Sequence, residues 1–419
     1  MKILWFTNTP CSAVEKLGLN INAGGWLRSL EDEIKKNPNI ELGICFYSYN
    51  KIEPFVHNGT RFYPVYRKSK NSKLKRAYKR LVPDNNDVHE VSSLLQVIAD
   101  FKPDVIHVHG TEDNFGLVQM QSDIPVVISM QGILSPCAAK YYSGIPENIA
   151  RRHEGLLTKW IGSGTTRSYT LFQKDAERER RILNSAKFII GRTEWDKRVT
   201  GVLAPKAQYF IGNEILRKPF YENRWAKTAF SKPLQIVTTT GGAIYKGFET
   251  IVSAAEILSE TDLIFSWKVI GLNEDSNTVN IVKKWKKIQL RNLKIKLLGT
   301  LDEKAMVDTL LQSDIYCHTS HIENSPNSLC EAMILGMPCI ATYAGGTCSL
   351  LQDDEEGMLV QNGDPWAIAG ALIEFKKDPD KAFLYGNNAR KRALDRHNKD
   401  KIVNNTLEIY RNILSFKSK

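Results

Sequence analysis

The chain has 419 residues, 42% of them hydrophobic and 25% charged, with a net charge of +11 and seven cysteines. That length predicts about two domains, and those fractions belong to a globular protein rather than a disordered or fibrous one. No run of about 18 uncharged apolar residues occurs, which excludes a membrane-spanning helix, and the scattered cysteines, several in apolar segments (Cys45, Cys317, Cys330, Cys339), predict reduced thiols in a cytoplasmic protein.

The opening segment Lys2–Asn8 reads as a buried strand and not as a signal peptide, since no cleavage region follows it. Through Gly24-Gly25-Trp26 it leads into a helix ending near Lys36, and strands are predicted at Ile40–Tyr47 and Arg61–Tyr66. From Arg67 to Arg80 there are eight Lys or Arg and no acid, and Leu74, Ala77, Tyr78 and Leu81 share a face if the segment is helical. Such a helix fits an anionic membrane surface, where each cation contributes roughly 1 kcal/mol. A solvated basic loop is the plain alternative. Without a recognition motif or aromatics interleaved as stacking platforms, nucleic acid is not an expected partner.

A helix over Glu90–Phe101 feeds a strand at Asp104–Gly110; a short helix and a strand at Pro125–Gly132 follow. His109 and Gln131 stand at the carboxyl ends of these two strands, facing the expected cleft. The bland reading of His109 is a strand-end imidazole bonded to backbone. The segment Ala138–Leu183 mixes cations with large apolar groups (Arg151-Arg152, Leu156-Leu157, Trp160-Ile161). It reads as an acceptor-side wall, as a second membrane-contact surface, or as amphipathic helices on the core. After a strand over Lys187–Glu194 the chain crosses to a second domain around Asn213–Trp225.

That domain opens with a strand at Leu234–Thr240, a glycine loop Gly241–Gly247 containing Lys246, and a helix at Phe248–Glu260. Strands at Trp267–Gly271, Lys294–Gly299, Asp314–His321, Pro338–Gly346 and Met358–Val360 follow, with helices between and after them. Two βα series in tandem predict an α/β protein of two Rossmann-like domains with a ligand cleft between them.

The helix after His321 is the most informative element. Ser325 suits an N-cap and Pro326 the first helical position, while Gly336 and Pro338 stop the helix. Leu329, Cys330, Ala332, Met333, Ile334 and Leu335 make it apolar on nearly every side. Glu331 is then a charge on a buried element, which is costly unless something hydrogen-bonds it. Asn327 lies one turn earlier on the same face, beside the N–H groups of Asn327, Ser328 and Leu329 at the open helix end, a natural anion site. A ligand with phosphate at one end and hydroxyls at the other fits that face, and a sugar nucleotide has this shape.

The run Glu323-Asn-Ser-Pro-Asn-Ser-Leu-Cys-Glu331-Ala-Met, then Gly336-Met-Pro338 and a strand ending in Gly345-Gly346, resembles the signature of the family 4 retaining glycosyltransferases. The resemblance implies the GT-B fold: an acceptor-side domain over 1–212, a nucleotide-sugar domain over 213–400, and a terminal helix over 401–419 bracing the first domain. It implies that Glu331 binds the ribose hydroxyls and that Glu323 lies beside the transferred sugar. Lys246 would bind the diphosphate, the Gly24-Gly25 pair would let phosphate or acceptor approach the backbone, Gly345-Gly346-Thr347 would close on the donor or form a simple turn, and catalysis would draw on Glu323, His109 and Gln131. No metal and no cofactor is implied.

Two positions depart from the family's pattern: Gly241 stands where an arginine is usual, and Gln131 where a histidine is common. Glutamine cannot titrate near neutrality, so the acceptor proton is expected on the leaving phosphate or another group. The expected function is a retaining glycosyltransferase of surface polysaccharide synthesis. It would move a sugar from a nucleoside-diphosphate sugar to a hydroxyl of a lipid-linked or growing glycan, at the inner face of the cytoplasmic membrane. A sugar-nucleotide epimerase on the same fold and a non-catalytic glycan-binding or scaffold subunit are the alternatives. A dehydrogenase is disfavoured because the first turn lacks Gly-x-Gly-x-x-Gly.

Overall fold

The computed structural model describes residues 1–19, 25–67, 86–155 and 164–417. Gly24, most of the basic segment (68–80) and Leu156-Leu157 and Trp160-Ile161 lie outside the described residues. Among the described residues the chain forms two sheets. The first comprises β1 (Lys2–Thr7), β2 (Glu41–Ser48), β3 (Phe55–His57), β4 (Thr60–Tyr66), β5 (Val105–His109), β6 (Val126–Ser129), β7 (Phe188–Gly191) and β8 (Gln208–Ile211), in the order β3-β4-β2-β1-β5-β6-β7-β8. Every pairing is parallel except β3 with β4. The second comprises β9 (Leu234–Thr239), β10 (Phe265–Ile270), β11 (Ile295–Gly299), β12 (Ile315–His318), β13 (Cys339–Tyr343) and β14 (Met358–Gln361), in the order β11-β10-β9-β12-β13-β14, all parallel.

Parallel sheets carry helices on both faces, so their central strands are apolar on both sides. β1 shows this directly: Leu4 and Phe6 enter one apolar cluster of the N-terminal domain, and Ile3 and Trp5 enter the other. The second sheet and its helices share one core, from Leu234 and Trp267 to Phe375. In each sheet the strand order reverses beside the domain's first strand, between β1 and β5 and between β9 and β12. The loops leaving the carboxyl ends at such a reversal diverge and leave a crevice, which is where ligands of open α/β sheets bind. The short hairpin strand β3 and the edge strand β8 were not legible in the sequence: three and four residues are too few to set a period.

The last helix, Lys399–Lys417, returns to the N-terminal sheet. Its Tyr410 is fully buried, and the hydroxyl meets Trp5 Nε1 at 3.1 Å and His107 Nδ1 at 2.6 Å. Tyr410→Phe leaves both groups without that partner and should cost about 1–3 kcal/mol, read as a lower urea midpoint. The chain thus passes between domains twice, and the two passages touch: His397 Nδ1 donates to the Glu214 carbonyl at 2.8 Å.

Candidate functional site

The signature helix spans Asn327–Leu335, and Gly336 ends it in the left-handed conformation at φ +90°. One expectation is corrected at its start. Pro326 occupies the cap position and no side chain caps the helix, because the Ser325 hydroxyl donates to the buried Glu214 carboxylate at 2.7 Å. A second correction concerns Leu329, whose N–H is already bonded to the Pro326 carbonyl at 3.0 Å. The amides of Asn327 and Ser328 are the open donors of this end, and the Asn327 Oδ1 is shut from solvent with no partner among the described residues.

A cavity of about 250 Å³ lies against this helix. Gly25 and Trp26 of the N-terminal domain line it, with Arg217 from the connection and Thr239, Gly271, Thr300, Asn327 and Glu331 from the C-terminal domain. Glu331 is 6% exposed and receives a two-pronged bond from Arg217, Nε at 2.7 Å and a terminal nitrogen at 2.8 Å. Burial pushes the Glu331 carboxyl above its usual range and the guanidinium pulls against that shift. Burial also works against the charge on Arg217, but the bond to Glu331 outweighs it and holds the guanidinium firmly protonated. Gly25 makes room for this arginine: a Cβ there would meet Arg217 Cδ at 2.8 Å. Arg217 is a cavity-lining residue that the sequence did not single out. The lone buried acid demanded a cation, and nothing along the chain located it 114 residues away.

The loop after β9 brings Lys246 to Glu323. Gly247 turns this loop at φ +78°, and a Cβ there would sit 1.9 Å from the Thr319 carbonyl, so only glycine lets the two loops meet. Lys246 Nζ donates to Glu323 Oε1 at 2.5 Å, Ser320 Oγ to the same oxygen at 2.8 Å, and His318 Nε2 lies 3.6 Å from it. Burial pushes Glu323 up, but the Lys246 charge and the His318 contact outweigh it and hold the carboxyl at about 2. Gly345 and Gly346 pack on the Glu323–Asn324 backbone, with Gly346 N–H donating to the Glu323 carbonyl at 3.0 Å. Gly241 and Gly242 face open space.

His109 and Gln131 differ in placement. His109 ends β5, yet it is 1% exposed, packed against Trp5 (4.7 Å between centroids), His107 (3.8 Å) and Trp26 (5.9 Å). Burial first, then His107 and Arg192, hold its imidazole well below the usual range, and neither ring nitrogen has a partner among the described residues. It does not line the cavity, although Trp26, against which it packs, does. Gln131 is half-buried; its carbonyl backbone oxygen accepts from Asn324 Nδ2 at 3.1 Å, while its side-chain Nε2 is unpaired. Asn324 Oδ1 accepts from Thr193 Oγ1 at 2.8 Å. The residue next to Glu323 is thus tied to the N-terminal domain twice.

Among the described residues, ligand atoms of Glu214, Cys330 and His397 come within 4.8 Å of one another. Arg192 Nε stands 3.6 Å from Glu214, and although burial pushes that carboxyl up, Arg192, His397 and Arg396 bring it to about 2. The positive charge at this junction is already supplied by guanidiniums, so the donor set fits an ion-paired hinge and not a metal site. Arg67, first of the basic segment, is likewise engaged: it pairs with Glu90 at 2.9 Å and Asp113 at 2.8 Å and stacks on Tyr47 at 3.4 Å. No helix among the described residues is long and apolar enough to cross a membrane.

Residues 220–392 match the family model described as Glycosyl transferases group 1. The chain is 28% identical over 170 residues to N-acetyl-alpha-D-glucosaminyl L-malate synthase of Bacillus anthracis, covering 40% of this chain and 43% of that protein. It is 22% identical over 320 residues to the amylovoran biosynthesis glycosyltransferase AmsK of Erwinia amylovora, covering 71% and 76%. The chain spans less than half the length of the first curated relatives it matches. The Anabaena protein HepE, solved with UDP and glucose, superimposes with a TM-score of 0.64 at 15% identity over 98% of this chain and 99% of that one. The fold is GT-B, two Rossmann-like domains facing across a cleft.

Proposed function

We propose that this protein is a metal-independent, retaining glycosyltransferase that moves a sugar from a nucleoside-diphosphate sugar to a hydroxyl of a lipid-linked or growing glycan. The observation that carries this reading is the cavity at the open end of the Asn327–Leu335 helix, with a buried carboxylate one turn further in. Amides of Asn327 and Ser328 suit a diphosphate, and Glu331 suits a pair of ribose hydroxyls. Lys246, paired with Glu323, would supply a cation, and Glu323 is a carboxylate that remains charged at neutral pH. In the reaction the bond from the anomeric carbon to the diphosphate oxygen breaks and its electron pair leaves with the phosphate. The acceptor oxygen bonds the anomeric carbon, and its proton passes to the departing phosphate. Fixed dipoles and cations stabilise the charge that develops on the diphosphate, so the chemistry needs no metal.

The match to group 1 transferases and the relative named for amylovoran biosynthesis favour an acceptor from surface polysaccharide assembly. Incubation with a panel of UDP-, GDP- and other nucleotide sugars tests the reading. One class should raise the melting temperature and release its nucleoside diphosphate, with no loss of rate in EDTA. The anomeric proton coupling of the product should match that of the donor. Stabilisation by none of the panel would overturn the assignment, and a new nucleotide sugar formed without acceptor would make the protein an epimerase.

A further inference from the structure

The crevice of the N-terminal sheet holds a carboxyl that the reading above does not use. Glu112 follows β5, and Gln131 follows the adjacent strand β6, whose register pairs His109 with Ser129. Gly110 lies between them at φ +94°, and a Cβ there would meet Glu112 Oε2 at 2.1 Å and the Gln131 amide carbon at 3.3 Å. The missing side chain is therefore what admits both polar groups to one place. Glu112 Oε2 and Gln131 Nε2 are both cut off from solvent, and neither has a partner among the described residues. Two orphaned polar atoms on side chains that flank one glycine are uncommon in a settled structure, where buried polar groups are almost always paired. One is an acceptor and the other a donor, a combination that complements a hydroxyl. The wall is also tied to the donor side, because Asn324 bonds the backbone of Gln131.

We propose that Glu112 is a substrate-binding residue whose carboxylate accepts a hydrogen bond from a sugar hydroxyl held against Gln131, on the wall opposite the Lys246–Glu323 pair. The inference rests on the glycosyltransferase reading and deepens it. The hydroxyl belongs either to the transferred sugar or to the acceptor, and the chemistry of recognition is the same.

Burial pushes the Glu112 carboxyl up, backbone amides of Glu112 and Gly132 oppose the shift, and Glu179 and Asp113 add to it, leaving the group at about 7. The charged or titratable groups around it are Glu179 and Arg178 of the Thr165–Asn184 helix, Asp113 of its own loop, and Tyr245 across the cleft. Arg178 bonds only the Glu112 backbone carbonyl, at 2.6 Å, and pairs its charge with Asp175. A carboxylate that must be ionised to serve as acceptor gives a rate that falls as pH drops through this value.

The test is Glu112→Gln in the full-length protein, with Glu112→Asp as the variant that keeps the charge. Wild-type kcat/KM should show an acidic limb centred near 7. Glu112→Gln should lower kcat/KM at pH 8 by about tenfold or more, as loss of a charged hydrogen bond does, and should remove the limb. Binding of the nucleoside diphosphate alone should be unchanged. If donor hydrolysis without acceptor falls as well, the hydroxyl is the donor's; if only the KM for acceptor rises, it is the acceptor's. Wild-type kcat/KM and an intact limb in Glu112→Gln overturn the inference. Should that variant not fold, a wild-type profile with no acidic limb near 7 overturns it equally. Failure of the parent reading looks different: no nucleotide would stabilise the wild type at all.

Discussion

Glu323→Gln is expected to lower kcat by about 10²–10³-fold, the usual cost of removing one group that stabilises charge in the transition state, with nucleoside-diphosphate affinity nearly unchanged. The amide keeps the shape of the carboxylate and removes its charge. Three groups converge on Glu323 Oε1, and together they hold the carboxyl at about 2, so it is fully ionised wherever the protein works. A charge fixed this firmly suits the positive character that develops on the sugar ring as the glycosidic bond breaks. The cavity against the signature helix has its own lining, which does not include Glu323. Single-turnover transfer alongside calorimetric titration with nucleoside diphosphate separates the two effects; equal losses in both would remove Glu323 from the chemistry.

The same variant has a stability signature whose sign is fixed. A carboxyl with a depressed folded pKa contributes stability above its unfolded pKa, and that contribution disappears as pH falls toward the folded value. For Glu323 the window runs from about 4.5 down to about 2. The wild-type melting temperature should therefore fall more steeply than that of Glu323→Gln on acidification through this range.

The second large effect concerns Arg217 and Glu331. Breaking a buried ion pair by removing one partner costs about 3–5 kcal/mol, because the other charge is left uncompensated. Arg217→Ala should therefore destabilise the protein by that order and weaken nucleotide binding at least tenfold. Replacing both residues by apolar ones of similar volume, Arg217→Met with Glu331→Leu, should restore much of the melting temperature and none of the binding. That divergence separates a structural pair from a ligand-binding one; recovery of affinity in the double variant would show the carboxylate to be structural only. A 2′-deoxyribose nucleotide should already bind the wild type weakly and should lose little further in Glu331→Ala.

The strands of both sheets were legible within a residue or two wherever the apolar run was long, as in Lys2–Thr7 and Leu234–Thr239, because burial on both faces leaves an unbroken signal. The signature helix was legible for the same reason, and its lone Glu331 lines the cavity beside it. What the chain concealed is contact between distant segments. Ser325 has the chemistry of a cap, and only the fold shows Glu214 claiming its hydroxyl. His109 has the chemistry of a catalytic group, and only the packing of Trp5, Trp26 and His107 shows how completely it is enclosed. Glu112 was not singled out in the sequence; its standing depends on Gly110 and Gln131 lying beside it.

The two crossings of the chain, joined where His397 meets Glu214, act like the spine of a book. If the covers part, they pivot on that line, so groups near the spine, such as Ser325 with its bond to Glu214, travel least. Pages far from the spine sweep the widest arc, and the Asn324 clasp to Thr193 and Gln131 must unfasten before they swing. Severing the chain after Arg396 would remove half the spine and also take Ile402, Leu407, Ile409, Tyr410 and Ile413 out of the N-terminal core, so a truncated protein should lose the stability of that wall together with its alignment to the other.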